Sequence, residues 1–272
     1  MNWKKVLAVA VVSLGLVTGC KSKSNEELDQ ASAFLSKGDY SRALKLYQSI
    51  TAKFPAGEIS AKAMFLIGEI NYLYLKKPQE AIEAYEEFAH TYPNDPNAQH
   101  ARLNLARIYE EDLDKPQSAI ICYQRVIDFA EDNDQEKAPY SRWRIARNYD
   151  ALGQTEQAVT EAQILIEKYP QNKYAGEAKL LLADIEYMKG DYEKAAKAYG
   201  DILAKLPEGD VAGEARLGRA ACYEEQGKLD EAIADYALLL PTHREPEVIK
   251  RRIARLKAKQ HEKKGKWQTA WQ

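Results

Sequence analysis

The chain has 272 residues, a formal net charge of −2, 45% hydrophobic and 10% aromatic content. That length suffices for a sizeable core, and the absence of strand signals and low-complexity segments excludes a β-rich or disordered chain and leaves a helical one. The small net charge hides a segregation: Lys250 to Lys266 holds nine basic residues against one acid, Glu262, while residues 20–249 hold 28 basic and 40 acidic ones.

The first segment sets the address. Lys4-Lys5 precede fourteen mostly apolar residues, Val6 to Gly19, a run shorter than the ~20 that a membrane-spanning helix needs. The small residues of Val17-Thr18-Gly19-Cys20 suit a peptidase pocket, and the segment resembles a bacterial lipoprotein signal. That resemblance implies cleavage before Cys20 and lipidation of its thiol, with several acyl chains holding the protein firmly on a bilayer. The alternative is an ordinary cleaved signal with a chance cysteine. Lys21, where an aspartate would stand in retained enterobacterial lipoproteins, goes with export to the outer membrane. The five-residue linker Lys21 to Asn25, at ~3.5 Å per residue at most, would keep the first repeat within ~20 Å of that membrane.

From there a repeat takes over. Small residues return at Ala43, Ala81, Ala119, Ala158, Ala195 and Ala232, in steps of 38, 38, 39, 37 and 37 residues. Four residues on stand Tyr47, Tyr85, Tyr123, Ala162, Tyr199 and Tyr236; seven on stand Ile50, Phe88, Val126, Leu165, Ile202 and Leu239. That spacing marks one helical face. Proline closes the helix at Phe54-Pro55, Tyr92-Pro93, Tyr169-Pro170 and Leu206-Pro207, because it lacks the amide proton and restricts the residue before it.

A second small residue precedes each anchor by twelve or thirteen positions, at Ala31, Gly68, Ala106, Ala146, Ala183 and Ala220. It predicts a first helix packed close against the second. Turns such as Lys37-Gly38-Asp39-Tyr40 and Lys189-Gly190-Asp191-Tyr192 offer a left-handed glycine and an aspartate to cap the next helix. This pattern resembles the tetratricopeptide repeat (TPR), whose small residue, alanine, aromatic and proline fall in this order. The resemblance implies an all-α, right-handed TPR α-solenoid of six helix-turn-helix repeats, with a longer period than usual and bulky residues at the seven-on position. The expected domains are a signal over 1–19, a tether over 20–25, repeats over 26–243, and a capping helix with a basic tail over 244–272.

That last segment starts at Glu245-Pro246, a plausible helix start. Val248, Ile249, Ile253 and Leu256 predict a helix covering the apolar end of copy six. Beyond it, Lys257 to Gln272 loses helical periodicity; it is either a solvated tail or a patch for anionic head groups or an acidic partner. Cys122 and Cys222 stand nearly three repeats apart, too far for a disulfide, and read as buried packing thiols.

Catalytic signatures are missing. His90, His100, His243 and His261 lack metal-ligand spacing, and no nucleophile elbow or phosphate loop occurs, so neither an enzyme nor a cofactor is expected. A binding surface is. In TPR proteins the first helices line a concave groove, and Glu69, Arg107, Arg147 and Asp184 stand one residue beyond the small residue. Around them Tyr140, Arg142, Trp143 and Arg144 make copy four the most basic and aromatic first helix. Arg107, Tyr140, Arg144 and Arg147 are therefore the candidate partner-binding residues, for envelope proteins or extended peptides and not nucleic acid. The competing reading pairs Glu69 with Arg107 and Arg147 with Asp184 as a structural ladder, with Trp143 in the core.

The lipobox, the short tether and the unit Ala-Ile-x-x-Tyr-x-x-Phe-x-x-x-Tyr-Pro over 81–93 together resemble the BamD-like TPR lipoproteins. That resemblance implies a scaffold in outer-membrane β-barrel assembly. Coordinators of Tol-Pal or cell division and TPR scaffolds of polysaccharide export share similar repeats, and a regulator of an envelope enzyme is the alternative of a different class.

Overall fold

Each small residue of the repeat needs a neighbouring helix at close range, and the computed structural model supplies one at every copy. It describes residues 23–130 and 134–270, with side chains through residue 262. Cys20, the lipobox and the signal lie outside the described residues. The chain divides into two units, Met1–Glu131 and Asp132–Gln272. The first holds three helical hairpins: α1 (23–36) with α2 (Tyr40–Lys53), α3 (Glu58–Glu69) with α4 (Pro78–Thr91), and α5 (Ala98–Arg107) with α6 (Pro116–Asp128). The second holds α7 (Lys137–Ala151) with α8 (Thr155–Lys168), α9 (Lys173–Met188) with α10 (Tyr192–Lys205), α11 (Asp210–Glu225) with α12 (Leu229–Leu239), and a final helix, α13 (Pro246–Ala270). No strand occurs among the described residues, and no described helix is long and apolar enough to cross a membrane.

The repeat register holds residue by residue. All six anchor alanines are fully buried, as are the aromatic positions Tyr47, Tyr85, Tyr123, Tyr199 and Tyr236 and the bulky residues seven on. These large side chains explain why the first helix must be small at its crossing point. At Gly68 an added methyl would lie 2.5 Å from the Tyr85 ring, so only glycine fits there.

Helix ends follow local chemistry. The amide of each aromatic or leucine before proline bonds back to the carbonyl of the seven-on residue, as in Phe54 to Ile50 and Tyr92 to Phe88. Asp39 caps α2 through the Arg42 amide, 3.1 Å away. The expected cap at Asp191 does not form; its carboxylate turns to Lys194 at 2.8 Å instead.

The thirteen-residue spacing in copies two and three has a structural cause. After α3 and α5 the chain makes one wide π-type turn, Ile70–Tyr74 and Ile108–Asp112. There the amides of Leu75 and Leu113 reach the carbonyls of Ile70 and Ile108, five residues back, both at 3.0 Å. The extra residue is absorbed without moving the next anchor alanine. Where other copies turn on a left-handed glycine, such as Gly153 and Gly190, these two turn on Lys76 and Asp114, with φ of 54° and 49°.

The end of copy six is closed by α13. Ile249, Ile253 and Leu256 are buried against Ala220, Leu229, Ala232, Tyr236 and Leu239. Arg252 and Arg255 both bond Glu224, at 3.0 and 2.5 Å. Two expectations need correcting. Val248 is not part of the covering face and is 40% exposed. The helix also does not stop near Leu256 but continues to Ala270, because Lys, Gln, Ala and Glu favour helix without an apolar face to bury.

Candidate functional site

The first helix of each hairpin carries two kinds of polar side chain, and their geometry separates structure from surface. The buried tyrosine rings of the second helices must satisfy their hydroxyls. Tyr85 donates to Glu69 at 2.9 Å, Tyr123 to Glu110 at 2.7 Å and Tyr199 to Asp184 at 2.6 Å. Tyr47 shares a hydrogen bond with the Ser32 hydroxyl at 3.1 Å, and Tyr236 reaches Glu224 at 3.4 Å. Burial and the adjacent carboxylates push these phenols above their ordinary value in Tyr85, Tyr199 and Tyr236.

Two of the four positions aligned from sequence, Glu69 and Asp184, therefore serve the hairpin core. Glu69 also takes Asn104 at 3.1 Å. The sequence missed this ladder because its acceptor sits one residue past the small residue in copies one, two and five, but four past it in copies three and six. Burial pushes the Asp184 carboxyl up, against the Tyr199 hydrogen bond.

Arg107 and Arg147 both stand exposed, Arg107 in the first unit and Arg147 in the second. Arg107 lies near Tyr72, which Asp112 and Glu111 also influence. Arg147 borders a cavity of about 360 Å³ with Asp150, Glu177, Leu180, Asp184 and Met188. Burial pushes Glu177 up while Arg147 draws it down, and Asp210 and Glu214 add to the upward shift. Met188 is 79% exposed.

One turn earlier on α7, the structure brings Tyr140, Trp143 and Arg144 together with a residue that sequence reasoning did not single out. Trp143 stacks on Tyr174 of α9 at 5.2 Å and 24°. Tyr140 lies 5.5 Å from the same ring. The Arg144 guanidinium stands 5.5 Å from the Trp143 ring and 5.8 Å from the Tyr140 ring. Trp143 is only partly buried, so it belongs to this aromatic surface as much as to the core. Arg142 points elsewhere: it binds Glu161 on α8 at 2.6 Å with both side chains largely covered. The cluster offers rigid aromatic faces beside a cation, a combination suited to gripping an extended chain.

Elsewhere, the Cys122 and Cys222 thiols are free and buried, each pushed up to about 11 by burial. That is inert packing chemistry rather than reactive thiol chemistry. Among the described residues no cluster of His, Cys, Asp and Glu is arranged to hold a metal.

Hairpins with this register and a polar, aromatic first-helix face define an all-helical TPR protein. A tetratricopeptide repeat-like domain model matches residues 135–270. A TPR protein from Parabacteroides merdae has the same fold at a TM-score of 0.58, with 20% identity over 89% of this chain and 88% of that one. PilW, a type IV pilus biogenesis factor, superposes at 0.51 with 16% identity, over 83% of this chain and 97% of its own. The family is narrower than the fold: the YfiO model, described as outer membrane lipoprotein, matches residues 21–188, and the chain belongs to that family. Similar curated proteins are the outer membrane protein assembly factors BamD of two Xylella fastidiosa strains, 9a5c and Temecula1, at 22% and 23% identity over 206 residues. The match covers 71% of this chain and 62% of the length of either relative.

Proposed function

We propose that this protein is a lipid-anchored scaffold that holds other proteins in place during assembly of outer-membrane proteins. The observation that carries the reading is where the family match begins, at residue 21, directly after the cysteine that the signal leaves as the first residue. Cys20 is the proposed lipidation site, with 1–19 removed, 20–25 as the tether, 26–243 as the repeats and 244–272 as cap and basic tail. The anchor confines a preorganised surface to one membrane and raises its concentration near partners. The work is binding, not catalysis.

The partner-facing residues are Arg107 in the first unit and Tyr140, Arg144 and Arg147 in the second. Support for the second set is geometric: aromatic rings already locked by mutual stacking lose little freedom on binding, so contact made there retains more of its energy.

The test is a crosslinking pulldown of the lipidated protein from its native envelope, with Cys20→Ser and Arg144→Glu/Arg147→Glu variants alongside. Enrichment of the β-barrel assembly machinery, lowered by the charge reversal, is the expected result, with Cys20→Ser leaving the membrane fraction. Enrichment of Tol-Pal or polysaccharide-export components instead would overturn the assembly role.

A further inference from the structure

A second site candidate lies in the first unit and involves none of the partner-facing residues above. Helices α4, α5 and α6 enclose a cavity of about 430 Å³ whose lining includes Arg102, Leu105, Cys122, Arg125 and Phe129, with Glu86 and His90 at α4. Arg102 is 6% exposed. Its guanidinium donates to the Pro93 carbonyl at 3.3 Å and reaches Gln99 at 3.5 Å, both long contacts. It also lies 4.0 Å from the centre of the Phe129 ring. No ion pair joins it to a carboxylate among the described residues, and its charged neighbour is another cation, Arg125.

The carbonyl bond by itself is a feature of the repeat, since Arg216 makes the same contact with Pro207 at 2.8 Å. Arg216 remains partly exposed. Arg102 is covered, faces a like charge, and supports an aromatic ring that is itself 54% exposed. Burying a cation without a counter-charge is costly, and such groups are ordinarily paired.

We infer that this cavity binds a carboxylate flanked by an apolar group, as presented by Asp or Glu beside Leu or Phe in a partner protein. The guanidinium fork matches a carboxylate in two parallel hydrogen bonds. Leu105, the Phe129 ring and the neutral Cys122 thiol provide the apolar wall. Glu86 disfavours a multiply charged anion such as phosphate and tolerates a single carboxylate. The volume falls at the small end of ligand pockets, which run from ~300 to ~1,000 Å³, so one or two side chains fill it.

The test uses the full chain in detergent and the blocked peptide acetyl-Leu-Glu-Phe-amide, observed by saturation-transfer NMR. The glutamine peptide and inorganic phosphate serve as comparisons. The acidic peptide is expected to bind at least about ten-fold more tightly than the glutamine peptide, the ratio one charge-assisted hydrogen bond supplies. Arg102→Met and Arg125→Met should each remove that preference, while Arg216→Met, at the equivalent carbonyl contact of the second unit, leaves it intact. Without ligand, Arg102→Met should raise the unfolding midpoint, because it removes a buried charge held for a partner. No binding by the unaltered chain, an undiminished preference in Arg102→Met, or phosphate competing as well as the peptide would overturn the assignment. A lowered midpoint in Arg102→Met would overturn it too, by showing that the charge is countered within the chain.

Discussion

Two glycines five residues apart on α11 should respond to the same substitution with opposite signs. Gly213→Ala adds a methyl where no heavy atom lies within 4 Å, so only the helix preference for alanine acts, a gain of ~0.5–1 kcal/mol. Gly218→Ala has the same intrinsic gain, but its methyl would meet Tyr199 at 2.3 Å from Cζ and 2.7 Å from the hydroxyl oxygen. That ring is 2% exposed and its hydroxyl is held by Asp184 at 2.6 Å. Overpacking costs ~1–3 kcal/mol, and dragging the hydroxyl off a carboxylate costs ~1.5 kcal/mol more. The net loss is ~1.5–4 kcal/mol, which places the two variants ~2.5–4.5 kcal/mol apart. Urea unfolding followed by circular dichroism at 222 nm measures this directly. The Gly213→Ala midpoint should rise and the Gly218→Ala midpoint should fall. A rise in both would refute the contact between α10 and α11 on which the repeat register depends.

Three further predictions rest on the same interior. Tyr85→Phe removes a hydroxyl that donates to Glu69 and accepts from Asn104 at 3.0 Å; because Glu69 keeps the Asn104 donor, a loss of ~1–2 kcal/mol is expected in urea unfolding. Asp235, 4% exposed, holds Arg219 through two 2.7 Å bonds; Asp235→Asn should cost ~2–3 kcal/mol, the lower side of a broken buried pair because Arg219 is partly exposed, and the Arg219→Met/Asp235→Leu pair should lose much less. Burial raises the Asp184 carboxyl in the fold, so this group favours the folded state below the ordinary aspartate value and that contribution is lost as pH rises through the raised one. Asp184→Asn keeps an acceptor for Tyr199 and should flatten that decline as pH rises above the ordinary aspartate value, read as unfolding midpoint against pH relative to the unaltered chain.

The repeat was legible because its steric demand is periodic. A fully buried Tyr at the four-on position forces a small residue on the facing helix, and both recur at fixed spacing, so the anchors Ala43 to Ala232 could be placed from sequence. The extra residue before Ala81 and Ala119 was visible only as a count of thirteen; that it becomes a wide turn at Ile70 and Ile108 depends on carbonyl geometry, which composition does not encode. Polar roles were harder still. Glu69 and Arg107 occupy the same column of the repeat, yet Glu69 serves Tyr85 while Tyr123 uses Glu110, a switch of one helical turn on the same face that periodicity treats as equivalent. Tyr174 and Arg102 were missed because their importance comes from neighbours on other helices.

That switch bears on where a partner would bind. Where the position after the small residue must accept a tyrosine hydroxyl, it is Ser32, Glu69 or Asp184. In copy three Tyr123 takes its acceptor a turn later, and in copy four the tyrosine itself is replaced by the buried Ala162. Those are the two copies in which the position carries arginine, Arg107 and Arg147, and both residues are exposed. An arginine cannot accept the hydroxyl's hydrogen bond, so its presence there requires that the hydroxyl be satisfied elsewhere or be absent. The core of copies three and four is thus arranged to allow a cation on the first-helix surface. On copy four the same helix adds Trp143 and Tyr140 a turn away, with Arg144 over both rings. In the scaffold proposed above, the first helices of copies one, two, five and six commit a hydroxyl or a carboxylate to an internal tyrosine, so selectivity for a partner is expected at the two positions where an arginine replaces that acceptor.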